Sequence, residues 1–307
     1  MQQPGARKII HYPNVKLSDL DAGRVIAYPL PDGNHAYYGV PDFLIIGAQK
    51  CGTRELHTWL NRHPDLKGAP RECHFFDEVM EMESEWIRYL LNPAFLLSRD
   101  TRHLSSHATR TFEKTPAYWD RYNRGKPVPE LIWRMMPSGK FIVLLRNPTM
   151  RAYSAYRMGR AWQDVIAPVT EYVQTDFLSL VQRRLSANGR GSRSRLLGIG
   201  CYARHLETWF RYFPRNRLRI VLLEDFQKDP FAVMDDLFAF LNLAPFDYRP
   251  LSEKNARGLW VLCGQPSKGN APPYEPIPLR AKVLLDEYYR PWNERLRRLL
   301  PDVDIPW

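Results

Sequence analysis

The sequence lacks several features that would assign a protein to a class at once. Its 307 residues contain no apolar run near the roughly 18 residues that span a bilayer, and the N-terminus lacks the apolar segment of a signal peptide. The cysteines show no CxxC spacing, which argues against a zinc site or a thioredoxin-like redox pair. No basic block or RNP-like aromatic motif occurs, so we expect no nucleic-acid partner.

Positive charge is what the sequence has in excess. It carries 44 lysines and arginines against 33 aspartates and glutamates, a formal net charge of +11, so its surface should attract phosphate, sulfate or carboxylate groups. The hydrophobic fraction of 44% is enough for a sizeable core. Four cysteines (Cys51, Cys73, Cys201 and Cys263) are too few for a disulfide scaffold, and both one or two disulfides and small buried thiols stay open.

Three short apolar runs, each followed by a helical pattern, organise the chain. The runs are FLIIGA (43–48), FIVLLR (141–146) and RIVLLE (219–224), and each is typical of a buried parallel strand. The helical patterns cover 53–62, 148–159 and 230–241. Strand, loop and helix in this repeated order predict an α/β fold: a single domain with a central parallel sheet flanked by helices.

The remaining segments suggest how that domain is bounded. Residues 1–40 are rich in Pro, Gly and Tyr without a sustained period, so we expect an irregular lead-in to a catalytic domain over 41–307. A further helix is predicted over 202–213. The Gly- and Pro-rich stretch 251–278 is expected to form a long loop before a last helix, 279–300.

The first strand runs into a glycine-bracketed lysine loop, FLIIGAQKCGTRELHTWL. In a nucleotide-binding α/β fold, such a loop turns its backbone N–H groups towards a phosphate at the N-terminus of the next helix. Gly47 and Gly52 allow close approach, Lys50 supplies a charge and Thr53 a hydroxyl. A Walker A loop has its lysine after the second glycine, whereas Lys50 precedes Gly52.

A second check also disfavours a metal-dependent kinase. A P-loop NTPase usually has an aspartate at the end of a neighbouring strand to hold Mg²⁺. Here the two other runs end in Arg146 and Glu224. Three alternatives stay open: a kinase that uses Mg²⁺ and ATP, an inactive polysaccharide-binding module, and a plain glycine turn with a solvated lysine.

Six motifs in a fixed order narrow the choice. They are FLIIGAQKCGTRELHTWL, RECHFFD, FEKTPAYW, FIVLLRNPTMRAYSAYRM, YARHLETWFRYFP with RIVLLEDFQKDP, and PSKGN. Together they resemble the sulfotransferases that use 3′-phosphoadenosine 5′-phosphosulfate (PAPS), and most closely the Golgi glycosaminoglycan sulfotransferases of the heparan sulfate type. The resemblance covers about residues 41–270. It implies a P-loop-like PAPS-binding fold, release of 3′,5′-ADP and no metal.

The resemblance assigns the cofactor contacts. The loop residues Lys50, Cys51, Gly52, Thr53 and Arg54 would hold the 5′-phosphosulfate. Lys50 would lie near the oxygen that bridges phosphorus and sulfur, where negative charge develops as the sulfuryl group departs.

The 3′-phosphate, which ATP lacks, has its own predicted clamp. Arg146 ends a strand and Ser154 lies about two turns along the next helix, so both side chains could reach one anion. In the related enzymes these positions hold the 3′-phosphate. A strand-end salt bridge is the plain alternative for Arg146.

Catalytic residues follow from two further motifs. The acceptor hydroxyl needs a base, and the resemblance assigns that role to Glu72 of RECHFFD. His74 would point to the same side of an extended segment, near the acceptor, and Lys114 of FEKTP would lie close to the group transferred. A surface carboxylate, a structural histidine and a surface lysine are the plain readings of these three residues.

The PSKGN segment departs from the family pattern. Lys268 and Gly269 match the loop that closes over the cofactor, but Asn270 stands where arginine is usual. Cys263 alone precedes it, whereas heparan sulfate enzymes commonly bracket this loop with a disulfide. A chondroitin or dermatan sulfotransferase, including the type acting on the 6-hydroxyl of 4-sulfated N-acetylgalactosamine, therefore becomes attractive.

Location and partners rest on the resemblance. Such enzymes are usually type II Golgi proteins, so we expect a luminal catalytic fragment without its membrane anchor, acting on an anionic polysaccharide. The sequence contains no N-x-[ST] acceptor, which luminal proteins often carry. The acceptor sugar, the hydroxyl and the oligomeric state stay open.

Overall fold

The computed structural model of the chain describes residues 8–79, 85–98, 109–161, 174–186, 194–264 and 275–307.

The strands of the described residues form two main sheets and two short hairpins. In chain order they are β1 (Ile9–His11), β2 (Val25–Pro29), β3 (His35–Gly39), β4 (Phe43–Gly47), β5 (Leu66–Gly68), β6 (Leu96–Ser98), β7 (Arg110–Lys114), β8 (Tyr122–Asn123), β9 (Lys126–Pro127), β10 (Lys140–Leu145), β11 (Leu218–Leu222), β12 (Ser252–Lys254) and β13 (Trp260–Leu262).

The α-helices lie between and after these strands. In chain order they are α1 (Thr53–Leu60), α2 (Trp86–Leu90), α3 (Val128–Met135), α4 (Pro148–Ala161), α5 (Phe177–Ser186), α6 (Arg195–Gly198), α7 (Tyr202–Phe210), α8 (Leu223–Lys228), α9 (Pro230–Leu241) and α10 (Leu279–Leu299). One π-helical turn covers Phe75–Val79, and a 3₁₀ turn covers Pro116–Trp119.

A five-stranded sheet in the order β11-β10-β4-β7-β5 is the centre of the fold, and all its neighbouring strands are parallel. The three apolar runs form β4, β10 and β11, which lie side by side. The predicted α/β fold with a central parallel sheet is therefore confirmed. Because parallel strands end at the same edge, the residues that follow β4, β7 and β10 come together there.

The lead-in is more regular than the sequence suggested. Strands β1, β2 and β3 join β6 in a second, four-stranded sheet, so the expectation of an irregular segment is wrong for these residues. These strands are short and contain Tyr, Pro and Gly, so they give no sustained sequence pattern. One face of the sheet buries the small apolar cluster of Val25, Ala27 and Tyr37, and Ile26 of β2 belongs to the main core. The domain boundary near residue 40 stays a prediction.

The stretch expected to be a long loop also contains structure. Strands β12 and β13 pair as an antiparallel hairpin, so the loop prediction is wrong over Ser252–Leu262. Residues 265–274, which include Lys268 and Gly269, lie outside the described residues.

Two apolar clusters fix the elements that matter for function. The larger one surrounds the central sheet, with Trp209 and Phe213 against Phe141. The second holds one face of α4 against α5 and α10 through Ala152, Tyr153, Tyr156, Phe177, Leu180, Val181, Leu285 and Tyr289. Helix α4 is thereby fixed by packing.

Candidate functional site

The anion loop (residues 48–54) turns sharply between β4 and α1. Lys50 and Gly52 both have left-handed backbone conformations, with φ of 72° and 91°. Gly52 precedes α1, and no side chain caps the first turn of that helix. A helix N-terminus reached through left-handed turns suits an anion, because its first N–H groups have no partner within the helix.

Two features favour glycine at position 52. Its φ favours glycine, and an added Cβ would lie 2.6 Å from Leu223 Cδ1. Thr53 is buried as the first residue of α1, and Arg54 beside it is exposed. The loop thus brings all five predicted phosphosulfate contacts, residues 50–54, to one turn.

Arg146 and the outer face of α4 lie against this loop. Arg146 follows β10, and its Nη1 donates to the Lys50 carbonyl oxygen at 3.4 Å. Lys50 Nζ lies 3.6 Å from Met158 Sδ. Met158 is one helical turn beyond Ser154 and so shares its face. The structure therefore places Arg146 against the anion loop, and Ser154 lies on the helix face whose Met158 contacts Lys50.

Tyr202 ties the loop to the end of β10. Its hydroxyl donates to the Arg146 carbonyl oxygen at 2.8 Å and lies 3.5 Å from Cys51 Sγ. Burial raises the pKa of the Cys51 thiol to about 11, although the hydrogen bond to Tyr202 and the charges of Arg151 and Arg146 oppose it. Cys51 is therefore a neutral packing residue of the loop at neutral pH.

Glu224 is hydrogen-bonded to the backbone at the start of α4. Its Oε1 accepts from the Asn147 N–H at 2.9 Å, and Asn147 Oδ1 in turn accepts from the Met150 N–H at 3.0 Å. These bonds fix the start of α4 beside the loop.

The catalytic candidates form a compact group, the Glu72 cluster (Glu72, His74, Asp77 and Lys114). Lys114 ends β7, beside Ile45 of β4, and its Nζ lies 2.5 Å from Glu72 Oε1. His74 Nε2 lies 3.4 Å from Glu72 Oε2. Three residues from two distant motifs thus meet next to the edge of the sheet that carries the anion loop.

His74 is held from its other side as well. Its Nδ1 lies 3.1 Å from Oδ2 of Asp77, whose side chain is almost fully buried. Burial by itself would lower the pKa of His74, but the hydrogen bond to Asp77 and the charges of Asp77, Glu78 and Glu72 outweigh it and raise the pKa above the usual 6.5.

The backbone conformation that brings Glu72 and His74 together differs from the expectation. An extended segment was predicted, yet His74 has a left-handed φ of 50° and the chain then enters the π-helical turn Phe75–Val79. The prediction of an extended segment is wrong because the backbone turns at His74. The two side chains nevertheless contact each other.

Sequence reasoning missed some of the polar groups of the site. Asp77 lies in the motif RECHFFD, and Asn147 follows Arg146 directly, but neither was singled out. A carboxylate three residues after His74, at the start of an aromatic-flanked turn, was the available signal for Asp77. Nothing in the sequence alone paired Asn147 with Glu224.

The donor set of the anion loop fits a phosphate or sulfate group. It offers the cations Lys50 and Arg146 together with the start of α1. Among the described residues, His74, Asp77 and Glu78 have ligand atoms within 4.8 Å of one another, a spacing that a metal ion could use. Both nitrogens of His74 already face carboxylates, however, which is the arrangement of a hydrogen-bonded histidine.

Comparisons with known proteins identify the family of the chain. Residues 40–254 match the family model described as "Sulfotransferase domain". The chain is 31% identical over 278 residues to the human heparan sulfate glucosamine 3-O-sulfotransferase 6, a match that covers 87% of this chain and 73% of that protein. It is 29% identical to the human bifunctional heparan sulfate N-deacetylase/N-sulfotransferase 2, of which it spans only 30%.

A solved structure shows the same fold. A sulfotransferase from Alicyclobacillus acidocaldarius superposes with a TM-score of 0.60 at 21% identity, covering 87% of this chain and 98% of that one. The resemblance drawn from the six motifs is thereby confirmed. The chain belongs to the sulfotransferase-domain family.

Proposed function

We propose that the chain transfers a sulfuryl group from PAPS to a hydroxyl of a glycosaminoglycan. The observation that carries this proposal is the position of the Glu72–Lys114 pair. Lys114 ends the strand next to β4, and β4 leads into the anion loop, so a carboxylate and its lysine lie at the sheet edge where a donor anion and an acceptor would face each other.

Each residue has a distinct task in the proposed reaction. PAPS supplies the activated sulfuryl group and leaves as 3′,5′-ADP. Lys50 and the loop N–H groups bind the phosphosulfate, and Arg146 with Ser154 binds the 3′-phosphate. Glu72 removes the proton of the acceptor hydroxyl, while Lys114 holds Glu72 in place and adds positive charge near the transferred group. His74, fixed by Asp77, orients the acceptor.

Heparan sulfate is the acceptor that the relatives favour. Both human relatives carry it in their names, and the net charge of +11 suits a chain rich in sulfate and uronic acid. Asn270 and the single preceding Cys263 keep chondroitin or dermatan sulfate as the second candidate, because they depart from the heparan sulfate pattern.

The test is transfer of labelled sulfate from PAPS to a panel of desulfated and sulfated heparan, chondroitin and dermatan chains. The proposal expects labelling of at least one chain without added Mg²⁺. A protein that labels none of them while hydrolysing ATP with Mg²⁺ is a kinase-like enzyme. Polysaccharide binding without affinity for 3′,5′-ADP would instead show an inactive binding module.

The location is part of the proposal. None of the helices in the described part of the chain is both long and apolar enough to cross a membrane. Action in the Golgi lumen follows from the family resemblance alone. It predicts that the protein colocalises with Golgi markers in cells.

A further inference from the structure

Glu113 is a buried carboxylate next to the Glu72 cluster, and the proposed chemistry does not use it. It precedes Lys114 in β7, so the two side chains point to opposite faces of the sheet. Glu113 is 0% exposed. A carboxylate buried this completely is retained only if hydrogen-bond donors surround it.

Three hydroxyl groups supply these donors. Tyr89 and Tyr118 donate to Oε1 at 2.6 and 3.1 Å, and Thr115 donates to Oε2 at 3.0 Å. Burial raises the pKa of Glu113, and the hydrogen bonds from Tyr89, Cys73, Thr115 and Tyr118 oppose that rise. Both carboxylate oxygens are therefore engaged by side-chain hydroxyls.

Two of the three hydroxyls, those of Thr115 and Tyr118, also accept a hydrogen bond from a backbone N–H group. Each therefore links Glu113 to the backbone and is called a relay below. Thr115 Oγ1 accepts from the Cys73 N–H at 3.0 Å, and the Tyr118 hydroxyl accepts from the Phe75 N–H at 3.1 Å. A hydroxyl has one proton, and in both residues it points to Glu113, so a lone pair is left for the backbone N–H. The two relays anchor the backbone on either side of His74.

His74 needs such anchors. Its left-handed φ of 50° is unfavourable for a residue with a Cβ and persists only where the surroundings impose it. In this conformation the imidazole reaches both Glu72 and Asp77. Relaxation of the backbone would turn the ring away from them.

We propose that Glu113 is a positioning residue for sulfuryl transfer: through Thr115 and Tyr118 it fixes residues 73–75, and thereby orients Glu72 and His74 towards the acceptor. The inference rests on the proposed function, which gives those two residues their tasks. The class of ligand concerned is the acceptor sugar, since the hydrogen bonds of the two relay hydroxyls within the described part of the chain go to Glu113, Cys73 and Phe75 and not to the anion loop.

The experiment removes the relays one at a time, because loss of the buried Glu113 itself risks unfolding. Thr115→Val and Tyr118→Phe each remove one relay hydroxyl. Tyr89→Phe is the matched control, since it removes the shortest bond to Glu113 but contacts neither anchored N–H. Thr115→Ser keeps the hydroxyl and should retain activity.

The two relay variants are expected to lower kcat without weakening the binding of the donor product 3′,5′-ADP. Thr115→Val and Tyr118→Phe should lower kcat roughly 10- to 100-fold, the usual effect of misplacing a reacting group by about 1 Å. Affinity for 3′,5′-ADP, measured by calorimetry, should stay within about 2-fold, and Tyr89→Phe should change kcat less than about 3-fold. Equal losses of kcat in all three variants would overturn the inference, because the relays would then have no special role.

A second readout does not need activity. The pKa of the His74 imidazole, followed by NMR, should lie above 6.5 in the wild type and fall towards 6.5 in Thr115→Val and Tyr118→Phe, as the ring leaves Asp77, Glu78 and Glu72. It should not move in Tyr89→Phe. If the wild type transfers no sulfate, the proposed function fails while this titration still decides the positioning role. An unchanged His74 pKa in all variants would refute it.

Discussion

The shape of the anion loop depends on the left-handed backbone conformation of Lys50. A lysine with φ of 72° costs about 1–2 kcal/mol relative to an ordinary conformation. The neighbouring contacts compensate: the Lys50 carbonyl accepts from Arg146, and Cys51 packs against Tyr202. The contacts around Lys50 thus fix the conformation of a loop whose residue order, with lysine before Gly52, differs from that of Walker A.

Cys51 and Cys263 give a test at the residue scale. With a pKa of about 11, only about one Cys51 thiol in a thousand is ionised at pH 8. Cys263 is exposed. Brief treatment of the native protein with iodoacetamide at pH 8, followed by peptide mass spectrometry, should label Cys263 and leave Cys51 unmodified. Equal labelling of both residues would show that the loop is not packed as described.

At the scale of elements, the ends of β4, β7 and β10 and one face of α4 assemble the site. Helix α4 presents Ser154 and Met158 to the loop and packs its other face on the second apolar cluster. Its start is fixed by Asn147 and Glu224. A rigid helix beside a strand end is the kind of support that a phosphate clamp requires.

The variant Arg146→Ala tests whether the end of β10 and helix α4 bind the 3′-phosphate. Arg146→Ala should weaken 3′,5′-ADP binding roughly 10- to 100-fold, because a hydrogen-bonded charge pair is worth about 1.5–3 kcal/mol. Affinity for adenosine 5′-monophosphate, which lacks the 3′-phosphate, should change less than about 3-fold. Arg160→Ala, at the exposed end of the same helix, is the control. Calorimetry that shows equal losses for both nucleotides would rule out a 3′-phosphate contact.

Strands that are continuous apolar runs and helices with clear capping residues were predictable from the sequence. Strands that mix polar and apolar residues were not. Strands β4, β10 and β11 are continuous apolar runs, and α9 matches its predicted bounds because Pro230 and the capping Asp229 mark its start. Strand β7 reads RTFEK, and Phe112 is its single apolar residue. The partners of its polar side chains, such as Glu72 for Lys114 and Tyr89 for Glu113, are visible only in the fold. Glu72 and Lys114 were predicted individually. Their ion pair and the turn at His74 depend on tertiary contacts.

At the scale of the whole molecule, buried histidine makes stability depend on pH. His205 packs against Trp119, and its Nε2 lies 2.8 Å from the Gly198 carbonyl oxygen. Burial lowers its pKa to about 4 from 6.5, although the Gly198 hydrogen bond opposes this. Between pH 6.5 and pH 4 the imidazole of the unfolded chain binds a proton and that of the folded chain does not. The free energy of unfolding is therefore unaffected by protonation of His205 above pH 6.5 and decreases as the pH falls from 6.5 towards 4.

His205→Gln tests this dependence. Urea unfolding at pH 7 and pH 4.5 should show the wild type losing about 2 kcal/mol more stability than the variant between the two values, since one unit of pKa shift corresponds to about 1.4 kcal/mol. If wild type and variant lose the same amount, protonation of His205 does not govern acid stability.

The most direct test of the account is the effect of Glu72→Gln on sulfate transfer. With saturating PAPS and the best acceptor of the panel, the variant should be slower by roughly 10²- to 10⁴-fold, the contribution of a general base, with 3′,5′-ADP affinity within about 2-fold of wild type. Glu253→Gln, on the exposed strand β12, should transfer at the wild-type rate. Full activity of Glu72→Gln would contradict the assignment of Glu72 as the base around which the site is built.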